Sequence, residues 1–458
     1  MSKNRGTEYR GLRQRAIGIF DQGVKAANPY QAVKRSLSCS KGRLEIVRNH
    51  SIGSTVLSAD WERVHLIAFG KAACAMVQAA REVIPGELLK GSQGIAVTNH
   101  PNVTEVEGVS VIGAAHPLPD ESGRKAAESI ASRVRQAREG ELVLVLISGG
   151  GSALIPLPAE NVALKEKIST TELLLACGAG ITEINCVRKH LSQLKGGGLA
   201  RLVPPAELHT LILSDVIGDD LSSIASGPTV ADPTTFQDAV SVLTSHGVWD
   251  KVPKTVQNHL TAGCRGEIPE TPKPGDTIFA MAENTLIGSN GISLDAIILA
   301  AKDSGFDAQK YSSDLCGEAR LAAQQLVSEA QDVLRGSRIR KPFALLAGGE
   351  TTVTLKGYGK GGRNQEMALA FAVAAEQLDA DWVFLSGGTD GQDGPTDAAG
   401  GIVDPDTMGR MENAGIDPVA SLNNNDSYTA LTQSNDLLTT GATGTNVADL
   451  QILLVNPN

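Results

Sequence analysis

The stretch LVLVLISGGGS, residues 142–152, joins six consecutive apolar residues to five small ones. A run of this length without polar alternation is what a strand covered on both faces requires. Ser148-Gly149-Gly150-Gly151-Ser152 ends it. Glycines lack a Cβ, so their N–H groups can approach and surround an anion, and serines add hydroxyl donors. A tight turn needed only for folding is the plainer alternative, yet five small residues exceed what a turn needs.

The same punctuation recurs outward from this point. Short apolar segments at Val64–Phe69, Gly94–Val97, Val109–Ile112 and Leu211–Leu213 each stop at polar or glycine-rich residues, with helical patterns such as Lys71–Ala80 and Gly123–Glu139 between several of them. This alternation predicts a Rossmann-like, mostly parallel sheet flanked by helices. Ligands in open sheets of this class bind outside the carboxyl ends of the strands. Leu12–Leu37 reads as helix interrupted before Pro29.

The chain has 458 residues, which favours two domains. Residues 262–276, AGCRGEIPETPKPGD, mark the expected boundary, giving an N-terminal domain at 1–262 and a second α/β domain at 277–458. The second holds an apolar stretch at Ile278–Ala280, helices near Ile292–Ala301, Glu318–Leu334 and Asn364–Leu378, and strands at Phe343–Ala347 and Trp382–Leu385. No internal repeat is evident.

With 41 basic and 51 acidic residues the net charge is −10, and aromatics make up 3%. Broad nucleic-acid binding, which needs a basic footprint or stacking rings, is therefore not expected. Apolar runs fall short of the ~20 residues of a membrane span. The six cysteines form no C-x-x-C pair and read as reduced, mostly buried thiols. The N-terminus lacks a secretory apolar core, although its arginines leave organelle targeting open beside the favoured cytoplasm. The eight histidines show no zinc spacing. His100 and His116, after predicted strands, read as structural residues or single substrate donors.

Three further features carry chemistry. Lys195-Gly196-Gly197-Gly198 is a hinge, a close-approach loop or a ligand loop, and Ser226 in SGPT at 226–229 is a further hydroxyl candidate. Gly357-Tyr358-Gly359-Lys360-Gly361-Gly362 satisfies a loose G-x-G-x-x-G after a threonine-rich, strand-like segment. No acidic residue at a following strand end completes the dinucleotide pattern, so Gly359, Gly361, Gly362 and nearby Asn364 read as another kind of phosphate loop. No G-x-x-x-x-G-K-[ST] occurs, which excludes a classical P-loop. Lys71 begins a helix, where a cation is disfavoured unless an anion offsets it. Arg363 can clamp a phosphate or serve an internal salt bridge. Asp215, Asp219 and Asp220 follow one strand, and Glu350, Asp390, Asp393 and Asp397 follow two others. Magnesium prefers such oxygens, and Asp215, Asp220, Glu350 and Asp390 are the chosen metal candidates. Capping of polar turns is the alternative. The order of ligands and glycine does not match an EF-hand.

The strings FGKAA (69–73), HPLPD (116–120), SGGGSAL (148–154), NCVRKHLSQLKGGGLA (185–200), SDVIGDDLSSIASGPT (214–229), GGETTV (348–353), GKGGRNQE (359–366), TDGQDGPTDAAG (389–400) and TGTNVADL (443–450) together resemble the glycerate 2-kinase family with a DUF4147 N-terminal and a MOFRL C-terminal domain. The resemblance spans nearly the whole chain. It implies Mg²⁺-assisted transfer of the ATP γ-phosphoryl to the C2 hydroxyl of D-glycerate, in a cleft between domains; monomer and homodimer both stay open. It also implies that Lys71 and Arg363 are catalytic. Members of the family have also been labelled hydroxypyruvate reductases, so NAD(P)H-dependent reduction is the alternative activity. A nonenzymatic small-anion-binding protein is the third reading.

Overall fold

The structure, a computed structural model, describes residues 2–47, 55–336 and 341–457. They form two compact units. The N-terminal unit is built on a six-stranded sheet whose spatial order is Val109–Ala114, Gly94–Asn99, Arg63–Phe69, Glu141–Ile147, Glu207–Leu213 and Ala282–Gly288. The four pairings among the first five strands are all parallel. Numbered along the chain the order is 3-2-1-4-5-6. Every residue of Glu141–Ile147 is buried, as the uninterrupted apolar run predicts. Helices Ala73–Val83 and Glu121–Val134 pack on this sheet. The second begins where Asp120 accepts the Gly123 N–H and relieves one unpaired donor of the first turn. A block of helices, Leu164–Ala176, Ile181–His190, Phe236–Ser245 and Lys254–Cys264, has its own core around Val187, Phe236 and Leu260.

The C-terminal unit has a mixed sheet in the order Asp307–Leu315, Phe343–Gly349, Asp449–Pro457, Ala380–Gly388, Gly400–Val403 and Leu437–Leu438. Its first pair is parallel and the others antiparallel. Helices Ala319–Gly336 and Arg363–Ala374 contribute to one core cluster on the sheet, around Met367, Phe371 and Phe384. A second cluster is formed by Asn290–Asp303 and by the N-terminal helix Ser2–Ala26.

The placement of that first helix corrects the expected division. Residues Met1–Asn28, Asp215–Gly218 and Gly288–Asn458 group together, and Pro29–Ser214 with Asp219–Ile287 form the other unit. Leu12, Ala16, Ile19 and Phe20, at helical spacing, are buried in the C-terminal core. Arg13 bonds Asp404 at 2.6 Å and Asp436 at 2.8 Å. A Cβ on Gly23 would lie 2.6 Å from Leu450 Cδ1, so glycine permits the close approach. The presumed linker at 262–276 is held on the N-terminal unit. Glu270 accepts from the Phe236 N–H, Thr271 donates to Asp232, and the Asp232 N–H donates to the Pro272 carbonyl.

Smaller differences have local causes. Ile278–Ala280 lies in a 3₁₀ turn, Thr277–Met281, and the strand starts at Ala282. The threonine-rich segment before Gly357 pairs only as a single bridge, Glu318 with Thr352. The Glu318 carboxylate instead takes the Thr354 N–H and hydroxyl. All six thiols are free, but Cys39, Cys264 and Cys316 are exposed, because they fall on an edge strand, a helix end and a loop. Among the described residues no helix is long and apolar enough to cross a membrane.

Burial of Leu12, Ile19 and Phe20 is worth about 1.5–3 kcal/mol each. Deletion of residues 1–28 is therefore expected to strip amide-exchange protection from strands Ala380–Gly388 and Asp449–Pro457, while Glu141–Ile147 keeps its protection. Equal loss in both sheets, or in neither, contradicts the assignment of the helix.

Candidate active site

Strands Arg63–Phe69 and Glu141–Ile147 run in register, Phe69 beside Ile147, so Gly70 and Ser148 leave the sheet together. Strand order reverses between these two strands, which makes their carboxyl ends the switch point where ligands bind in such sheets. Gly70 has φ +126°, and a Cβ there would sit 2.2 Å from Ser148 Oγ. The loops are then laced together: Ser148 N–H donates to Phe69 O at 3.1 Å and Lys71 N–H to Gly149 O at 2.9 Å. Ala72 N–H donates to Ser148 Oγ at 3.0 Å. Thr98 and Asn102 both donate to the Lys71 carbonyl, at 3.2 and 3.0 Å. The Lys71 backbone is thus fixed while its side chain stays exposed. Ser148 is occupied in this lacing.

The three glycine-rich segments differ in what their donors do. Among the described residues, no protein acceptor takes the N–H groups of Gly149, Gly150 or Gly151. By contrast, Gly196 and Gly197 donate to the carbonyls of Ser226 and Gly227, at 3.0 and 2.7 Å. The loop at 357–362 is packed down on 424–427. Lys356 and Gly357 donate to Asn425 Oδ1, Tyr358 to Asn424 Oδ1, Gly359 to the Asn424 carbonyl, and Lys360 to Asp426 Oδ1. A Cβ on Gly361 would meet Ser427 Oγ at 2.2 Å, and one on Gly362 would meet Asp393 Cγ at 2.3 Å. Asn364 is buried between Asp393 and Ser386. In these two segments the glycines permit close packing, and Gly196, Gly197, Gly359 and Asn364 have their expected donors engaged within the fold.

Beside the open loop lies a cavity of about 310 Å³ walled by His116, Gly150, Ser152, Lys167, Arg188 and Lys195 among others. Lys195 is fully sheltered and donates to Ser152 O at 2.9 Å and Ser152 Oγ at 2.5 Å. Ser152 Oγ is 2.8 Å from Ser226 Oγ, which reaches Asn185 Oδ1 at 3.2 Å. Burial, then the charges of Lys167, Arg188 and Lys189, hold the Lys195 ammonium well below the usual lysine range. Lys167 donates to the Leu191 carbonyl at 2.9 Å, and burial followed by the Arg188 charge lowers its pKa to about 7. Burial also lowers Arg188. His116, against Gly150, is lowered by burial and by the Lys71 charge. Sequence reasoning missed Lys167 and Arg188. Arg188 stands inside NCVRKHLSQLKGGGLA, whereas Lys167 had no signal beyond one lysine on a helix.

In the C-terminal unit Arg363 forks onto Asp449, Nε to Oδ2 at 2.5 Å and Nη2 to Oδ1 at 2.9 Å, and Nη1 reaches Glu350 at 2.8 Å. Burial pushes the Asp449 carboxyl up to about 6 against the pull of Arg363. Although burial opposes it, the Arg363 charge is reinforced by Asp449 and Glu350. Asp393 is raised by burial and accepts the Asn364 and Gln365 N–H groups at the start of helix Arg363–Ala374. A pocket of about 740 Å³ brings Asp215, Glu350, Arg363 and Asp393 together. Asp220 and Asp390 are not among its walls. Asp220 takes Ser222 N–H and the Ser222 and Ser223 hydroxyls, and Asp390 takes the Gln392 N–H. Each carboxylate holds its own turn. Among the described residues no group of three or more His, Cys, Asp or Glu could hold a metal, so the four-acid set is not assembled.

Arg363→Met leaves buried Asp449 uncompensated and is expected to destabilise the C-terminal unit by about 3 kcal/mol. Adding Asp449→Asn restores the melting temperature; a double variant melting as low as the single one refutes the pairing. The free chain keeps a lysine protonated to about pH 10, whereas folded Lys167 releases its proton near 7. Between these values the unfolded state binds more protons, so stability rises with pH across that window. Lys167→Met is expected to flatten this rise in urea titrations from pH 7 to 10, and an unchanged slope counts against the depressed pKa.

The family model DUF4147, described as a domain of unknown function, matches residues 15–261, and the MOFRL family matches residues 343–449. A protein of Pyrococcus horikoshii named glycerate 2-kinase is 42% identical over 97% of each chain. A protein of Agrobacterium vitis whose name proposes hydroxypyruvate reductase activity is 39% identical over 99% of this chain and all of its own. The crystal structure of a glycerate kinase from Thermotoga maritima superposes with a TM-score of 0.85 at 40% identity, over 97% of this chain and 100% of that one. With both domains matched in order and near full-length likeness at this identity, the chain belongs to the glycerate 2-kinase family that joins a DUF4147 domain to a MOFRL domain.

Proposed function

We propose that the protein is a glycerate 2-kinase that converts ATP and D-glycerate to ADP and 2-phosphoglycerate. Family membership supplies the reaction. The observation that ties it to residues is the loop at the switch point, where three unengaged N–H groups stand beside Lys71. Phosphoryl transfer is mostly a matter of holding donor and acceptor in line and neutralising charge on the transferred group. Backbone donors at 149–151 and the Lys71 ammonium supply that charge on the N-terminal unit.

The pocket at Arg363 suits nucleotide phosphates accompanied by Mg²⁺. This ion takes one or two carboxylates and completes its shell with water and phosphate oxygens. Asp215 and Glu350, which both line this pocket, would fit that requirement without a preformed cage. When bound, the ion withdraws charge from the phosphate oxygens. Arg363, oriented by Asp449 and Glu350, presents a fixed cation there. Six free thiols favour the cytoplasm as the protein's location.

Incubation with D-glycerate, ATP, Mg²⁺ and NAD(P)⁺, followed by phosphorus NMR, is expected to give 2-phosphoglycerate and ADP with no rise in NAD(P)H absorbance. Glycerate-dependent NAD(P)H formation without ATP makes the protein a reductase instead. Lys71→Met, verified as folded by circular dichroism, is expected to lower kcat about 100-fold or more. Full activity in that variant removes Lys71 from the mechanism.

A further inference from the structure

We propose that the acid-free cavity beside the 148–152 turn receives the carboxylate of the hydroxy-acid substrate, and that Arg188 is the residue that selects for it. The inference rests on the kinase reading and names the acceptor subsite within it.

Charge comes first. Lys167, Arg188 and Lys195 line one cavity, and among the described residues no Asp or Glu lines it. Sheltering a cation without a counter-charge is unfavourable unless an anion arrives. The two lysines are held by neutral oxygens, Lys167 by the Leu191 carbonyl and Lys195 by Ser152. The Arg188 guanidinium has no hydrogen bond or ion pair among the described residues, although the residue is partly buried. Arg13, Arg320, Arg363 and Arg410 are also partly buried, and each holds a carboxylate at 2.5–2.6 Å. Arg188 is set apart from them by the lack of a protein partner. Its planar fork matches a carboxylate through two parallel hydrogen bonds.

Size and position agree with this. At about 310 Å³, with Gly150, Ala153 and Pro156 in the wall, the cavity is at the small end for ligand sites and suits a compact acid. It adjoins the reacting loop: a Cβ on Gly150 would be 3.1 Å from His116 Cδ2 and 3.3 Å from Lys71 Cγ. Arg188 and Gly150 line the same cavity, and Gly150 meets Lys71, so an acid held by Arg188 lies in the cavity that adjoins the Lys71 loop. Neutral polyols of the same length lack the group that Arg188 reads.

The test compares wild type, Arg188→Met and Arg188→Lys. Charged hydrogen bonds are worth about 1.5–3 kcal/mol, so Arg188→Met is expected to raise KM for D-glycerate roughly 10- to 100-fold. KM for ATP stays fixed, and preference for glycerate over glycerol narrows by the same factor. Arg188→Lys, which keeps the charge and loses the fork, falls between. An unchanged glycerate KM in folded Arg188→Met overturns the assignment, as does a parallel rise in both Michaelis constants, which marks a structural role. If the wild type phosphorylates no glycerate, the kinase reading fails on its own. Calorimetric titration of hydroxypyruvate then tests the cavity: binding lost in Arg188→Met supports it, and equal binding in both proteins overturns it.

Discussion

At Gly70 the backbone passes so close to Ser148 that a methyl group would overlap its hydroxyl, and the left-handed φ there suits glycine alone. The geometry of the switch point follows from this contact. Two central strands end level, their loops exchange two backbone bonds, and the Ser148 hydroxyl takes a donor ahead of helix Ala73–Val83. Ser148 absorbs the demands of the neighbouring loop, and the next three residues are left with unanswered N–H groups. A larger residue at position 70 would part the loops and release Lys71 from the frame set by Thr98 and Asn102.

The part-buried arginines of the C-terminal unit and the cations of the cavity beside 148–152 are held in opposite ways. In the C-terminal unit, Arg13, Arg320, Arg363 and Arg410 all meet carboxylates, and Arg363 is steadied by two. Each of these cations is held in place by its acid. In the N-terminal unit the cavity lysines rest on carbonyls and a serine, and among the described residues no acid stands in the wall. That arrangement leaves their charge for a ligand. A protein with a net charge of −10 thus keeps a positive interior site by excluding acids from one wall, not by accumulating bases overall.

The sheet of the N-terminal unit was legible because its central strands are covered on both faces, so Leu142–Ile147 had no polar residue to obscure its period. The helix at Ser2–Ala26 was equally legible as a helix. Its destination was not, since an apolar stripe records that a face is buried without naming the sheet that buries it. Among the glycine loops, composition was a poor guide. Gly149–Gly151 and Gly359–Gly362 look alike along the chain, but Asn424, Asn425 and Asp426, about 60 residues beyond the second loop, take its donors. Acidic residues misled for a related reason: Asp220 and Asp390 sit two residues before the N–H groups they accept, a short-range bond that a search for metal ligands overlooks. Lys167 and Arg188 were hidden because a single cation on a helix ordinarily faces water.

How the fold tolerates three sheltered cations without a counter-ion follows from their titration. With its pKa near 7, Lys167 is largely free of its proton at mildly alkaline pH, and Lys195 is displaced in the same direction by burial and by its neighbours. The empty cavity therefore need not hold three full charges. An entering carboxylate favours the protonated lysines, restores their charge and draws protons from solvent as it binds. Arg188, with a far higher ordinary pKa, does not share this freedom and remains the permanent charge of the site. One fixed guanidinium and two conditional ammonium groups give a pocket that is strongly cationic when an anion occupies it and less costly to fold when none does.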